Sequence, residues 1–386
     1  MTRISKMVLG ALLLTGFTAC GPQPAQKSTL DVTDVPHTVV KRQSIGNCWL
    51  YATATWAEAL HLKNTTQEVD MSESYWTYWH WFDQIKSAGT SIQTGGSWEE
   101  ASRIIAKRGW MTEEEFIPSE KGVEMSLAQS RAEGIINTAL AKGGKLHTQR
   151  SRTKKNMMAV LDEAFGVNMK DLQAKAHKAS EFIVGKNADG TDVTLDKIIN
   201  NSGDASEWQS VYYPQARGDR PLSEENEARR KAILKRVMKA LNDRQPVIMS
   251  VMVEFNGLKT DPYATFDYDY LQAAGSMGGQ GGHLVVLEDY TVNNVPGIGF
   301  LGEGDMSDEL KAAALDGDIV TIKSKNSWGS NRPSRGLADG HTAFTIDYLN
   351  KPISWMYSDE SEGQVASPMN SYKASSLSEF VLPVGY

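Results

Sequence analysis

Two cysteines in 386 residues, Cys20 and Cys48, allow at most one intramolecular disulfide. A disulfide-stapled scaffold is therefore excluded, and the chain must hold its shape by burying apolar surface. Hydrophobic residues supply 40% of the sequence and charged residues 23%. That is ordinary globular usage and excludes a disordered, collagen-like or polytopic membrane protein. The length fits two domains or one large two-lobed unit. Lys and Arg number 40 against 47 Asp and Glu, and basic residues cluster only briefly, at Arg150–Lys155 and Arg229–Lys231. A nucleic-acid partner is not expected of such a surface.

The contexts of the two cysteines differ. Arg3 and Lys6 precede an apolar run from Met7 to Phe17, closed by Thr18-Ala19-Cys20. This is the layout of a secretory signal, and the run is too short to cross a bilayer, which needs about 20 apolar residues. Thr18-Ala19-Cys20 resembles the lipobox of bacterial lipoproteins. The resemblance implies residues 1–19 as a signal peptide, lipidation of Cys20 as the mature N-terminus, and residues 20–40 as a tether beginning with the helix-breaking Gly21-Pro22-Gln23-Pro24. It places the protein on the bacterial cell envelope, outer-membrane bound or periplasm-facing, with the membrane as a partner through the lipid anchor. An ordinary secretory signal that ends near a cysteine is the alternative.

After Cys48, Trp49, Thr53, Trp56 and Leu60 recur at helical spacing, which predicts an amphipathic helix starting at the cysteine. Aligned peptide N–H groups at a helix start favour a thiolate, so Cys48 is a candidate nucleophile, with a buried structural cysteine as the alternative. A nucleophile of this kind needs a base, and the base a third group to orient it. His283 sits in Gly281-Gly282-His283-Leu284-Val285-Val286-Leu287, an apolar run of strand type entered through glycines that leave room for another backbone. His61, His80 and His177 lie in helical patterns, His37 and His147 in polar connections and His341 at a strand start; these six read as structural or surface residues. Asn326, in Lys325-Asn326-Ser327-Trp328-Gly329, comes forty-three residues beyond His283.

Gln43 with Gly46-Asn47-Cys48-Trp49, the His283 strand and the Asn326-Ser327-Trp328-Gly329 segment together resemble the active-site segments of papain-like cysteine peptidases, in the same order. The resemblance implies an α+β, papain-like two-lobed fold, with a helical lobe carrying Cys48 and a β-barrel-like lobe carrying His283 and Asn326. It implies Cys48 as nucleophile, His283 as acid and base, Asn326 as orienter of the imidazole, and Trp328 as a shield over their hydrogen bond. Gln43 and the Cys48 backbone N–H would form the oxyanion hole, with Gln43 five residues before the cysteine where the family usually has six. Gly95 and Gly96 would lend their backbone to an extended substrate.

Met71-Ser72-Glu73-Ser74-Tyr75-Trp76 and Thr94-Gly95-Gly96-Ser97-Trp98 are similar to the bleomycin hydrolase and aminopeptidase branch of the superfamily. Gln245–Val251 reads as the strand before the histidine strand. The aromatic cluster Trp76, Tyr78, Trp79, Trp81 and Phe82 reads as core.

The interval from Cys48 to His283 exceeds the small papain type by about 90 residues. Residues 41–386 are thus read as one peptidase domain with a helical insertion at about 120–240, its helices expected around Ser126–Ala141, Lys155–Phe165, Lys170–Val184 and Glu224–Leu241. Access to the cleft would be restrained by that insertion or by the tail around Ser375–Tyr386. No cofactor and no metal site is indicated, since Asn187–Asp192 reads as a plain turn and Gly275–Gly282 lacks the residues of a phosphate loop. The expected activity is thioester-mediated hydrolysis of peptide bonds in peptides or proteins. The second reading is a catalytically weak or inactive cleft that binds peptides or a protein partner.

Overall fold

The computed structural model describes residues 35–199, 208–304, 306–332, 335–357 and 370–386. The signal segment, Cys20 and most of the tether lie outside the described residues. The observed architecture is α+β, and among the described residues no helix is long and apolar enough to cross a membrane.

The residues after Asn47 form an 18-residue helix, α1 (Cys48–Thr65). The expected amphipathic pattern is not what the structure shows. Cys48 to Ala54 and Trp56 to His61 are buried, so α1 is enclosed over nearly its whole circumference. A helix lined with Trp, Ala and Leu on every side has no polar stripe to turn outward and becomes a central element. Two further helices pack on it: α2 (Glu73–Ile85), whose Ser72 side chain accepts from the Tyr75 N–H, and α3 (Trp98–Arg108), capped in the same way by Ser97. Trp76, Tyr78, Trp79 and Trp81 are fully buried on α2, with Phe82 packed at the margin. The guanidinium of Arg108 lies 3.8 Å above the Trp79 ring.

The second lobe is a sheet of nine strands among the described residues. Its order runs Trp208–Tyr212, Leu377–Pro383, Val247–Glu254, Gln280–Val295, Asp318–Lys325, His341–Thr345, Thr265–Phe266 and Leu258–Lys259, with Gly299–Leu301 paired separately to Gln280–Val295. All pairings are antiparallel except His341–Thr345 with Thr265–Phe266. Alternation along the central strands splits the core in two. Ile248, Val286 and Val381 join the helical core, whereas Val247, Met249, Val285 and Leu287 join a second core with Phe266, Phe344 and Tyr348.

Three expectations change here. The tail is not a free plug, because Leu377–Pro383 is an interior strand hydrogen-bonded on both sides. The stretch 170–184 is not one helix. It contains the single turn Met169–Leu172, a 3-10 turn at Ala179–Glu181, and the strand Ile183–Lys186, whose hairpin partner Asp192–Thr194 is reached through a turn at Gly190. His177 pairs with Trp110 in an isolated β-bridge there and is not helical. Helices at Leu127–Leu140, Lys154–Phe165 and Glu224–Asn242 match the sequence patterns.

Candidate active site

Cys48 is the first residue of α1, and the start of that helix is uncapped by a side chain. Asn47 turns its carboxamide inward, donating to Thr77 Oγ1 at 3.1 Å and Gln129 Oε1 at 3.0 Å. The free N–H groups of the first turn are therefore left to the thiol. Burial pushes the Cys48 pKa up, while the backbone N–H groups of Leu284, Trp49 and Cys48 itself oppose that rise. Leu284 is the residue after His283, so the sulfur sits against the histidine strand.

His283 is buried near the start of the 16-residue strand Gln280–Val295, opposite Val251. The glycines before it do not serve close backbone approach: a methyl at Gly281 would meet nothing within 4 Å, and one at Gly282 only the Met252 sulfur at 3.8 Å. His283 Nε2 lies 2.8 Å from Asn326 Oδ1. The carboxamide oxygen can only accept, so Nε2 carries the proton and Nδ1 keeps its lone pair. Asn326 follows the last residue of the strand Asp318–Lys325 and is fixed twice more. Its N–H donates to Gly340 O at 2.7 Å and its Nδ2 to Thr342 Oγ1 at 3.0 Å. Trp328 stacks on the imidazole with ring centroids 4.8 Å apart and planes at 23°. Burial lowers the His283 pKa to about 4, and the Asn326 hydrogen bond acts against that fall.

Taken singly, burial holds both groups neutral. Moving the thiol proton to Nδ1 creates two charges at once, each offsetting the other in a site from which water is excluded. The arrangement can thus generate a thiolate beside an imidazolium on demand and return the proton to a leaving group.

Gln43 is tied to the asparagine segment. Its N–H donates to Ser327 O at 2.9 Å, and its Oε1 accepts from Ser327 Oγ at 2.7 Å. Its Nε2 donates to Ile45 O at 2.8 Å, which leaves one of its two amide hydrogens for an oxyanion. Arg42 and Trp328 form a β-bridge beside it.

On the other side of Cys48, the Trp49 indole N–H donates to Thr94 O at 2.9 Å and brings the Thr94–Gly96 loop to the helix start. Gly95 and Gly96 are exposed. A methyl at Gly96 would sit 2.5 Å from the Trp49 ring, so only glycine fits there, whereas Gly95 faces open space. The structure thus gathers Cys48, His283, Asn326, Gln43, Trp328 and, through Trp49, the two glycines. Sequence reasoning missed Ser327, Thr342 and the Leu284 N–H. The first was visible as part of the Asn326-Ser327-Trp328 segment, whereas the other two depend on strand register.

No family model matches the chain, and no curated protein matches it. Solved structures similar to it include PepW from Lactobacillus rhamnosis HN001, with 13% identity over 92% of this chain and 82% of that one and a TM-score of 0.45. Xylellain, a cysteine protease from Xylella fastidiosa, shares 13% identity over 94% of this chain and 86% of that one at a TM-score of 0.39. A structure from work on the mite allergens Blo t 1 and Der p 1 shares 14% over 92% and 74%, at 0.32. At these values the functional reading rests on the residues of the site.

Proposed function

We propose that the chain is a papain-like cysteine peptidase that cleaves peptides or proteins through a thioester acyl-enzyme. Cys48 attacks the carbonyl as its proton passes to His283. The imidazolium protonates the leaving amine and then, as free base, activates the water that releases the acid. The observation that carries this reading is the His283 Nε2–Asn326 Oδ1 contact of 2.8 Å, beneath Trp328, on a strand packed against α1, the helix that Cys48 begins. Gln43 Nε2 and the Cys48 N–H serve the oxyanion. The exposed backbone at Gly95 and Gly96 pairs with an extended substrate.

The test is intact mass after a peptidyl epoxide that alkylates activated cysteines, alongside a fluorogenic peptide assay. Labelling of Cys48 that requires His283, together with cleavage, is expected. No labelling and no cleavage in folded protein would favour the second reading, a cleft that binds peptides or a protein without hydrolysis. That reading draws support from the Gln43 Nε2 hydrogen already committed to Ile45 O.

We propose further that residues 1–19 are a lipoprotein signal, that Cys20 is acylated, and that residues 20–40 tether the enzyme to the bacterial envelope. Incorporation of labelled palmitate that is lost in Cys20→Ser checks this. Residues from about 120 to 240 elaborate the same catalytic domain with helices, the hairpin Ile183–Lys186/Asp192–Thr194 and the strand Trp208–Tyr212, which pairs with Leu377–Pro383 in the sheet.

A further inference from the structure

Away from the cleft, three side chains from distant parts of the chain converge. His37 Nδ1 lies 3.0 Å from both carboxylate oxygens of Glu288, and His341 Nε2 lies 2.9 Å from Glu288 Oε2. The two imidazole centroids are 4.7 Å apart, and one donor atom from each residue falls within 4.8 Å of the others. Glu288 and His341 are buried, whereas the His37 side chain keeps 11% exposure and forms the rim. His37 Nε2 is buried without a hydrogen-bond partner among the described residues, so its side-chain polar contacts run through Nδ1.

Burial would raise the Glu288 pKa, but the flanking His37 and His341 hold it well below the usual carboxylate range. Burial lowers the pKa of His37 despite the carboxylate beside it. A carboxylate that stays ionised and an imidazole that stays neutral are the ligand forms a metal ion requires.

We propose that His37, Glu288 and His341 form a binding site for a divalent transition metal of the zinc class, which pins the segment entering the oxyanion loop to the sheet. Two imidazole nitrogens and one carboxylate oxygen are a recurrent donor set for this ion. With metal–donor distances of about 2.1 Å, the observed 2.9 and 3.0 Å separations subtend about 90°, and tetrahedral geometry needs about 3.4 Å. The two imidazole nitrogens, which lie within 4.8 Å of each other, must also come to about 3.4 Å, and movement of the rim residue His37 supplies that closure while solvent completes the shell. The neighbouring cation Lys325 is held by Val39 O at 2.7 Å and by Thr38 Oγ1, and burial has already lowered its pKa to about 8.

The pinned segment runs directly to Gln43 and Cys48, so the metal would act as a structural staple in a chain whose described cysteine is unpaired. The inference does not depend on peptidase activity. It is tested in full-length Cys48→Ala protein, where the thiol cannot contribute a ligand. Metal-stripped protein is titrated with Zn2+ by calorimetry and with Co2+ by visible absorption. One equivalent of Zn2+ is expected, with ligand-field bands for Co2+, and affinity at least about tenfold weaker when His37→Ala is added. Glu288→Gln should abolish binding. His37→Ala is the deciding variant should Glu288→Gln fail to fold, because its side chain lies at the rim. Absence of Zn2+ binding in the Cys48→Ala protein, or unchanged affinity on adding His37→Ala, would overturn the assignment.

Discussion

Replacing Asn326 probes the proposed mechanism at the group that touches neither substrate nor sulfur. Asn326→Ala removes the 2.8 Å acceptor from His283 Nε2 and the 3.0 Å bond to Thr342. A buried N–H left without an acceptor costs about 1–3 kcal/mol of stability. The catalytic loss comes from the imidazolium, which exists only along the reaction path. A hydrogen bond to a charged group contributes about 1.5–3 kcal/mol, so kcat should fall by about 10- to 150-fold with KM little changed. The pH profile separates positioning from general damage. Activity that needs neutral His283 rises as pH passes its pKa of about 4. The Asn326 bond holds that pKa up, so its loss moves the acid limb to lower pH. Asn326→Asp sets a carboxylate against the ring, favours the imidazolium and moves the limb to higher pH. The assay is kcat/KM against pH with a fluorogenic peptide. An acid limb unmoved in both variants, or wild-type kcat in both, would refute the assignment of His283 as the base and Asn326 as its orienter.

Gly96→Val should drive Trp49 or the Thr94–Gly96 loop out of place, since even a methyl would lie 2.5–2.8 Å from the indole; a loss of about 1–3 kcal/mol in thermal unfolding and a drop in kcat/KM are expected. Ser327→Ala frees Gln43 Oε1 and should lower kcat by up to about tenfold, measured on the same peptide, while Cys48 alkylation persists. Lys41 Nζ is buried 2.7 Å from Asp70, 3.0 Å from Glu73, 3.5 Å from Glu113 and 3.7 Å from Glu58. Lys41→Met should cost about 3–5 kcal/mol, because the acidic groups still ionised around it lose their counterion. Burial already raises Glu73 to about 7 and Glu113 to about 10 against the pull of Lys41. Without the lysine the folded state holds these protons still more tightly than the unfolded one. Stability of the variant should therefore fall as pH rises from about 4.5, more steeply than in wild type, as read by denaturant midpoints between pH 5 and 8.

The parts of the site that were legible in the sequence are those encoded in contiguous segments. Cys48 at a helix start and His283 in a strand follow from period and flanking residues. What local pattern misjudged was context. Helix α1 carries Trp49, Trp56 and Leu60 at helical spacing, yet α2, α3 and the histidine strand cover it on several sides, so period alone misplaced its polar face. The stretch 170–184 lost its helix to a strand pairing with residues 192–194, which no local window contains. Pairings fixed by register stay invisible in one dimension. Nothing near His37 announces Glu288, 251 residues away, and Thr342 meets Asn326 only because the His341–Thr345 strand lies beside Asp318–Lys325.

The division of the interior into two cores has a consequence for the cell that makes this protein. Trp49, beside the nucleophile, packs in the helical core, and Trp328, which stacks on the base, packs in the sheet core. Across that boundary α1 packs on the histidine strand. A half-folded copy, with one core formed and the other still loose, would have a thiol or an imidazole but no competent pair. Under the proposed mechanism, hydrolytic power would then appear only at the last docking step, and partially folded copies could not degrade one another on the way. The same separation would make activity among the first properties lost when either core loosens, ahead of any change that bulk unfolding could register.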